Sequence, residues 1–204
     1  MKSIKNKNEI KKHFCSVTKK MYPSENMIRF VLFPDNKYTI DLNYEFQGKE
    51  FFIFASKSTL ARIKDFVGDI YEKEPQVENL VTRIDSIIVK RIVSLIALAR
   101  KSGKVILGYD KIQRLLLRNK IELLLQAKDG SLSRRSGLAL PKNQEHRVYC
   151  LSQKELGIPF RKNNVSNIGF LKSSFTIPLI FDIARLASLR SCLGIQNKGL
   201  INNE

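Results

Sequence analysis

The chain has 204 residues and carries 36 lysines and arginines against 19 aspartates and glutamates, a formal net charge of +17. Its 43% hydrophobic content is enough for one large or two small packed cores, which excludes a wholly disordered chain. A basic excess of this size points to a polyanionic partner, and most of it falls in the second half: 14 basic against 10 acidic residues up to Pro75, then 22 against 9.

The most apolar stretch, residues 87–101, is broken by Lys90 and Arg91, so no membrane span and no membrane partner are expected. The basic start MKSIKNKNEIKK lacks the apolar core of an export signal, and a cytoplasmic location is expected. Cys15, Cys150 and Cys192 are too few and too scattered for a disulfide framework and fit a reducing compartment.

Residues 1–75 read as a small α+β domain. Residues 1–12 are Lys- and Asn-rich and read as a terminal arm. Met27 to Phe33 has the composition of a strand, Pro34-Asp35-Asn36 of a turn, and residues 37–42 return as its hairpin partner. After a turn at Gly48, residues 50–56 form a third strand. A Ser- or Thr-capped helix follows, with Leu60, Ile63, Phe66 and Val67 on one face. His13 with Cys15, and His146 with Cys150, lack the tight paired spacing of zinc knuckles. No metal or cofactor is expected, and Cys15 is expected as a small buried residue.

Residues 15–60 resemble the YlxR family of small bacterial domains, which are thought to bind nucleic acid. The chain keeps Cys15, Thr18, Pro23, Arg29, Pro34 and Asp41 of that pattern, with Lys19 where the family has glycine. The family's Gly-Arg-Gly-aromatic signature stands here as Gly48-Lys49-Glu50-Phe51. The resemblance implies a nucleic-acid surface in which Lys19, Arg29 and Lys49 supply positive charge, while Glu50 replaces a glycine and adds a negative one.

Pro75 and the mixed charge around it place a linker near residues 72–84, and residues 85–192 read as a second domain. Ile88, Ile92, Leu95, Ile96 and Ala99 keep helical spacing up to a stop at Lys101-Ser102-Gly103. Val105 to Leu107 is a short strand, and Gly108 turns it into a helix expected to open on Asp110 as its cap, with Gln113 as the reciprocal half of a capping box. Ile112, Leu115 and Leu116 form that helix's apolar face before Asn119 ends it.

Residues 121–127 are apolar on both strand faces, which predicts a parallel sheet covered on both sides and a right-handed strand-helix-strand crossover. Ser131 is expected to cap a short helix ending at Pro141, and residues 146–151 form another strand. Ser152 and Glu155 make a capping box, and residues 164–171 make a last strand. A closing helix carries Pro178 in its first turn and Ile177, Ile180, Phe181, Ala184 and Leu189 as core. The fold class is thus α/β: a small α+β unit followed by a three-layer α/β/α sandwich.

In such a sheet the turns at residues 108–111 and 128–131 share one edge, where helix-start amides attract anions. Lys111, Arg114, Lys128, Arg134 and Arg135 lie in or just after these turns. Each alone is as readily a solvated surface charge; their convergence is the argument for a site.

Residues 88–190 resemble the ribosomal kink-turn-binding superfamily, through residues 98–131 and Glu155-Leu156-Gly157. That resemblance implies an RNA-reading turn at Gly108, Asp110, Lys111, Ile112 and Arg114. It also implies an apolar loop at Ile158, Pro159 and Phe160 that covers a flipped-out base, with Arg161 and Lys162 beside it. Asp110 stands where the family has asparagine, and Lys111 and Lys128 where it has acids. An aspartate cannot donate the amide hydrogen bonds of asparagine and a lysine cannot accept, so phosphate-dominated binding of structured RNA is expected.

The expected function is non-enzymatic recognition of a structured RNA, ribosomal or another non-coding RNA, linked to translation. Duplex DNA is an alternative partner, as is a translation or transcription factor held by the first domain. No P-loop, metalloprotease helix, nucleophile elbow or clustered histidine and carboxylate is present to support catalysis.

Overall fold

The structure, a computed structural model, describes residues 11–33, 38–63, 66, 77–131, 136–138 and 147–192. The first unit is built on β3 (Met27–Leu32), the middle strand of a three-stranded antiparallel sheet flanked by β4 (Tyr38–Ile40) and β5 (Lys49–Phe54). The expected hairpin and third strand are therefore present, and the turn between β3 and β4 lies outside the described residues. A short hairpin of β1 (Lys12–Phe14) and β2 (Met21–Pro23) precedes them. Its strands of three residues each are too short to have shown a period in the sequence. Ser56 caps α1 (Lys57–Ala61) by accepting from the Thr59 amide, and Leu60 and Ile63 behind it are buried.

Helix α2 (Val77–Lys101) runs for 25 residues. It begins inside the segment expected as linker, and its first turns bury Leu80 and Ile84. Pro75 with mixed charge marks a helix start as readily as an open tether, because proline and acidic residues are both favoured there. One hydrophobic cluster joins Met27, Phe30 and Leu60 of the first unit to Ile84, Ile88 and Ile92 of α2 and to the sheet beyond.

That second sheet contains β6 (Val105–Leu107), β7 (Ile121–Gln126), β8 (Arg147–Val148) and β9 (Asn167–Leu171), in the order β6-β9-β7-β8. Among the described residues of this sheet only β7 and β8 pair in parallel; β9 runs antiparallel to both β6 and β7. The expectation of a parallel sheet is corrected here. Apolar residues on both faces of a strand report that both faces are covered, and they carry no information about direction.

A register shift between Ile121 and Leu123 turns Ile121 and Leu124 toward α3 (Tyr109–Leu117), while Leu123 and Leu125 join the cluster shared with α2 and α5 (Thr176–Leu189). Gly169 of β9 leaves room for the side chains between sheet and helix, since a Cβ there would meet the Ile121 Cδ1 of β7 at 2.8 Å and the Ile112 Cγ1 of α3 at 3.4 Å. The class is α/β, mixing helices with sheets. The helix expected from Ser131 falls largely outside the described residues, although Leu138 is buried in the α3 cluster.

Two local expectations change and one holds. Helix α3 starts at Tyr109 with Gly108 as its cap residue and no side-chain cap bond, so Asp110 sits one place inside the first turn and makes no capping box. Asn119 does end the helix, in the left-handed conformation at φ +52°, with the Lys120 amide donating to the Leu115 carbonyl. On α5, Ile177 is 64% exposed, whereas Asp182 and Arg185 are buried. The helix turns its charged pair inward because the first unit docks there and supplies an acceptor.

Asp182 is held by Arg185 at 2.8 Å and Arg91 at 3.0 Å, and the Arg185 Nε donates to the Met27 carbonyl of β3 at 2.8 Å. Replacing Asp182 with alanine leaves the buried Arg185 without its counter-charge, and chemical denaturation should register a loss of about 3–5 kcal/mol.

Candidate nucleic-acid interface

Strands β6 and β7 run the same way although β9 lies between them. The carboxyl ends of β6, β7 and β8 and the start of β9 therefore form one rim. Backbone bonds lace the rim together: the Ala127 amide donates to the Ser166 carbonyl at 2.9 Å and the Lys128 amide to the Leu151 carbonyl at 2.8 Å. The two turns expected on a shared edge do share it.

Between β6 and β9 the rim opens into a cleft of about 690 Å³ lined by Leu107, Gly108, Tyr109, Lys162 and Asn164 to Asn167. Gly108 adopts φ +97°, a backbone conformation that side-chain-bearing residues rarely take. No side chain caps the helix it opens, so the first-turn amides of α3 are left to solvent or to a bound anion. Asp110, Lys111 and Arg114 follow on exposed positions of α3, and the Arg114 Nε folds back to the Asp110 carbonyl at 3.3 Å.

The opposite wall is the loop after α4 (Gln153–Gly157). Ser152 and Glu155 form the expected capping box, and Asp129 adds a bond to the Gln153 amide at 2.8 Å, which ties the 127–131 turn to the helix start. At Gly157 the chain passes so close to Lys162 that a Cβ would lie 2.0 Å from the Lys162 carbonyl oxygen. Residues 158–160 make one 3₁₀ turn, and Arg161 reverses the chain at φ +55°.

Of the apolar loop, Ile158 is 53% exposed. Phe160 packs against the main core, with the Arg100 guanidinium 5.4 Å from its ring centroid, and Arg100 also donates to the Pro159 carbonyl at 2.6 Å. Phe160 is thus a fixed support and Ile158 the apolar contact offered to solvent.

Glu155 is anchored as well. Burial pushes its carboxyl pKa up, but the hydrogen bonds from Arg190 and Ser152 outweigh that and hold it below its ordinary value. Arg190 bonds Asp85 at 2.6 and 2.7 Å and Glu155 at 2.7 Å, joining α2, α4 and α5.

The structure thus brings Gly108 and Lys162 to one cleft, with Lys111 and Arg161 exposed on its two flanking elements. Lys128 is exposed on the same rim but lines a different cleft of about 410 Å³, with Lys57, Thr82 and Asp85, at the seam with the first unit. Arg134 and Arg135 lie outside the described residues.

In the first unit, Lys19 is exposed and Lys49 begins β5 at the surface. Lys19 takes φ +58°, a left-handed conformation suited to the glycine that the resemblance has at this place. Arg29 is corrected. It is buried, its guanidinium is paired with Asp41 and with Glu50 at 2.6 Å, and it donates to the Phe46 carbonyl at 3.2 Å. Its side chain points to the face of β3 opposite Ile28 and Phe30; that face is covered too, so only an internal acid can satisfy it. Cys15 is buried as expected, its sulfur accepting from the Thr18 and Phe54 amides. His146 of the candidate zinc set lies outside the described residues. Cys150 is buried, and burial pushes its thiol up to about 12.

Arg100, Tyr109 and the polar run Asn164 to Asn167 escaped the sequence reading. The run reads only as the start of the last strand, which in fact begins at Asn167, and nothing in its composition reveals that it faces Gly108 across a sheet. No family model matches the chain, and no curated protein matches it. A solved structure described as a protein with unknown function from Bacillus halodurans C is 18% identical, with a TM-score of 0.40 over 45% of this chain and 96% of that chain; a likeness at this level shows neither fold nor function.

Two outcomes follow from the rim. Gly157→Ala forces the Lys162 backbone away and should lower stability by about 2 kcal/mol or more in urea unfolding, with the loop displaced. Because Glu155 has a depressed pKa in the folded chain, its contribution is complete above its ordinary value of 4.5 and fades as pH falls through the lower folded one. Melting curves of Glu155→Gln should therefore lose less stability than those of the parent chain across that acidic window.

Proposed function

We propose that the chain is a non-enzymatic, cytoplasmic RNA-binding protein linked to translation, which holds a structured RNA, ribosomal or another non-coding one, across the Gly108–Lys162 cleft. The observation that carries the reading is the pairing of uncapped first-turn amides on one wall with Lys162 on the other, flanked by the exposed Lys111 and Arg161. Of the nearby acids, Glu155 and Asp85 are bound to Arg190, and Asp129 accepts from the Gln153 amide. Asp110 and Asp129 are exposed among the cations.

The rim therefore offers donors to phosphates and few acceptors to bases, a balance that positions a folded backbone more than it reads sequence. Ile158, exposed beside these cations, provides an apolar contact for an unstacked base. No helix among the described residues is long and apolar enough to cross a membrane. The resemblances to the kink-turn superfamily and to YlxR domains support the same class of ligand, with the base-reading turn altered at Asp110 and Lys111.

Titrating a kinked RNA hairpin in a salt series tests the proposal. Log affinity should fall linearly with log salt, by about 0.7–0.9 for each neutralised phosphate, and Lys111→Ala and Lys162→Ala should each flatten the slope by about one contact. Salt-independent affinity, or stronger capture of duplex DNA in direct competition, would overturn it.

A further inference from the structure

The outer edge of β5 is covered over only part of its length. The Phe52 carbonyl accepts from the Ser16 amide at 2.9 Å, and the Phe54 amide donates to the Cys15 sulfur at 3.3 Å, so alternate residues of the strand turn their backbone groups away from β3. Glu50 falls on the same alternation, paired with Val31 as Phe52 is paired with Arg29. Its N–H and C=O therefore face outward. Cys15 bridges to Phe52 and the β1–β2 hairpin then pairs with itself, so nothing among the described residues bonds to those two groups.

The open edge lies in a cleft of about 440 Å³ lined by Phe14, Ser16, Leu32, residues 49–52 and Phe66. Phe14 is 51% and Phe66 41% exposed, and Met21, the cross-strand partner of Phe14, is exposed with it. Large apolar groups so gathered are costly to leave in water and mark a contact surface. Lys49 stands in the wall, the Lys19 Nζ lies 5.4 Å from the Phe66 ring centroid, and Lys12 and Lys20 are exposed on and beside the hairpin. Glu50 is exposed and shares its Arg29 counter-ion with Asp41, so a negative charge stays in the wall.

We propose that this cleft takes an extended acidic segment of a partner protein, which adds a short strand to β5 through the outward groups of Glu50 and sets an apolar side chain against Phe14 and Phe66. An unpaired sheet edge is a template for another chain's backbone, a complement that a polypeptide has and a phosphodiester lacks. Acidic residues of the segment meet the lysines. The Glu50 carboxylate, which would repel a phosphate, can accept from an amide of the segment. One backbone pair is a short clamp, so most of the affinity comes from the rings. The cleft lies on the first unit, and the function of the rim does not bear on it.

Random dodecapeptides displayed on phage and selected on the immobilised full chain test this. Selected sequences should be acidic with aromatic or branched apolar residues, and the matching synthetic peptides should bind about tenfold or more weakly to Phe14→Ala and to Phe66→Ala. Methylating alternate backbone nitrogens of a selected peptide should remove binding in one register and spare it in the other, because a strand donates to its neighbour from every second amide. Thermal melting of each variant separates loss of the site from loss of the fold, and the methylation series needs only the parent chain. No enrichment over selection on the Phe14→Ala chain, folded alanine variants that bind as the parent does, or equal tolerance of methylation in both registers would overturn the proposal. So would oligouridylate that displaces the peptides and loses its own binding in the same variants, since the cleft would then belong to a nucleic acid.

Discussion

The molecule depends on a buried charge. Asp182 sits in the interior of α5 with Arg185 and Arg91 as its counter-ions, and Arg185 spends a further donor on the backbone of β3. Such a cluster is expensive to desolvate and contributes geometry more than net stability. It has one satisfied arrangement, the one in which α2, α5 and the first unit meet in register. The hydrophobic cluster that runs through the same region supplies the favourable energy, and the ion cluster selects one orientation from the many that apolar surfaces alone would tolerate.

With that joint in place, the second sheet faces outward with its rim complete. Two kinds of fixing meet there. One is backbone: the bonds from Ala127 to Ser166 and from Lys128 to Leu151, and the contact at Gly157 that no larger residue would permit. The other is ionic, with Arg190 gathering Asp85 and Glu155 beneath the start of α4. Asp85 and Glu155 are consumed in building the scaffold, while Lys111, Lys128, Arg161 and Lys162 are left exposed on or beside the rim.

Much of this was legible in the sequence where local physics decides the outcome. Ser56 and the Ser152–Glu155 box announced their helices, Asn119 its helix end, and the apolar run from Ile121 a strand buried on both faces. What stayed hidden was long-range. The insertion of β9 between β6 and β7 leaves no local mark, because a strand's composition does not say which neighbours it takes. Arg29 looked like a surface cation until the fold brought Asp41 and Glu50 to it, and Ile177 looked like core until α5 turned its charged pair inward. The Asn164 to Asn167 run became part of a site only through its position across from Gly108.

The place of β9 in the sheet has a consequence for how the protein comes into being. Both neighbours of that strand, β6 and β7, leave the ribosome well before it, and neither bonds to the other. Until residues 167–171 emerge, the growing chain holds two unjoined pieces of sheet and no wall opposite Gly108. The rim therefore closes only when β9 takes its place, and closing so long a loop makes this a slow, non-local step of folding.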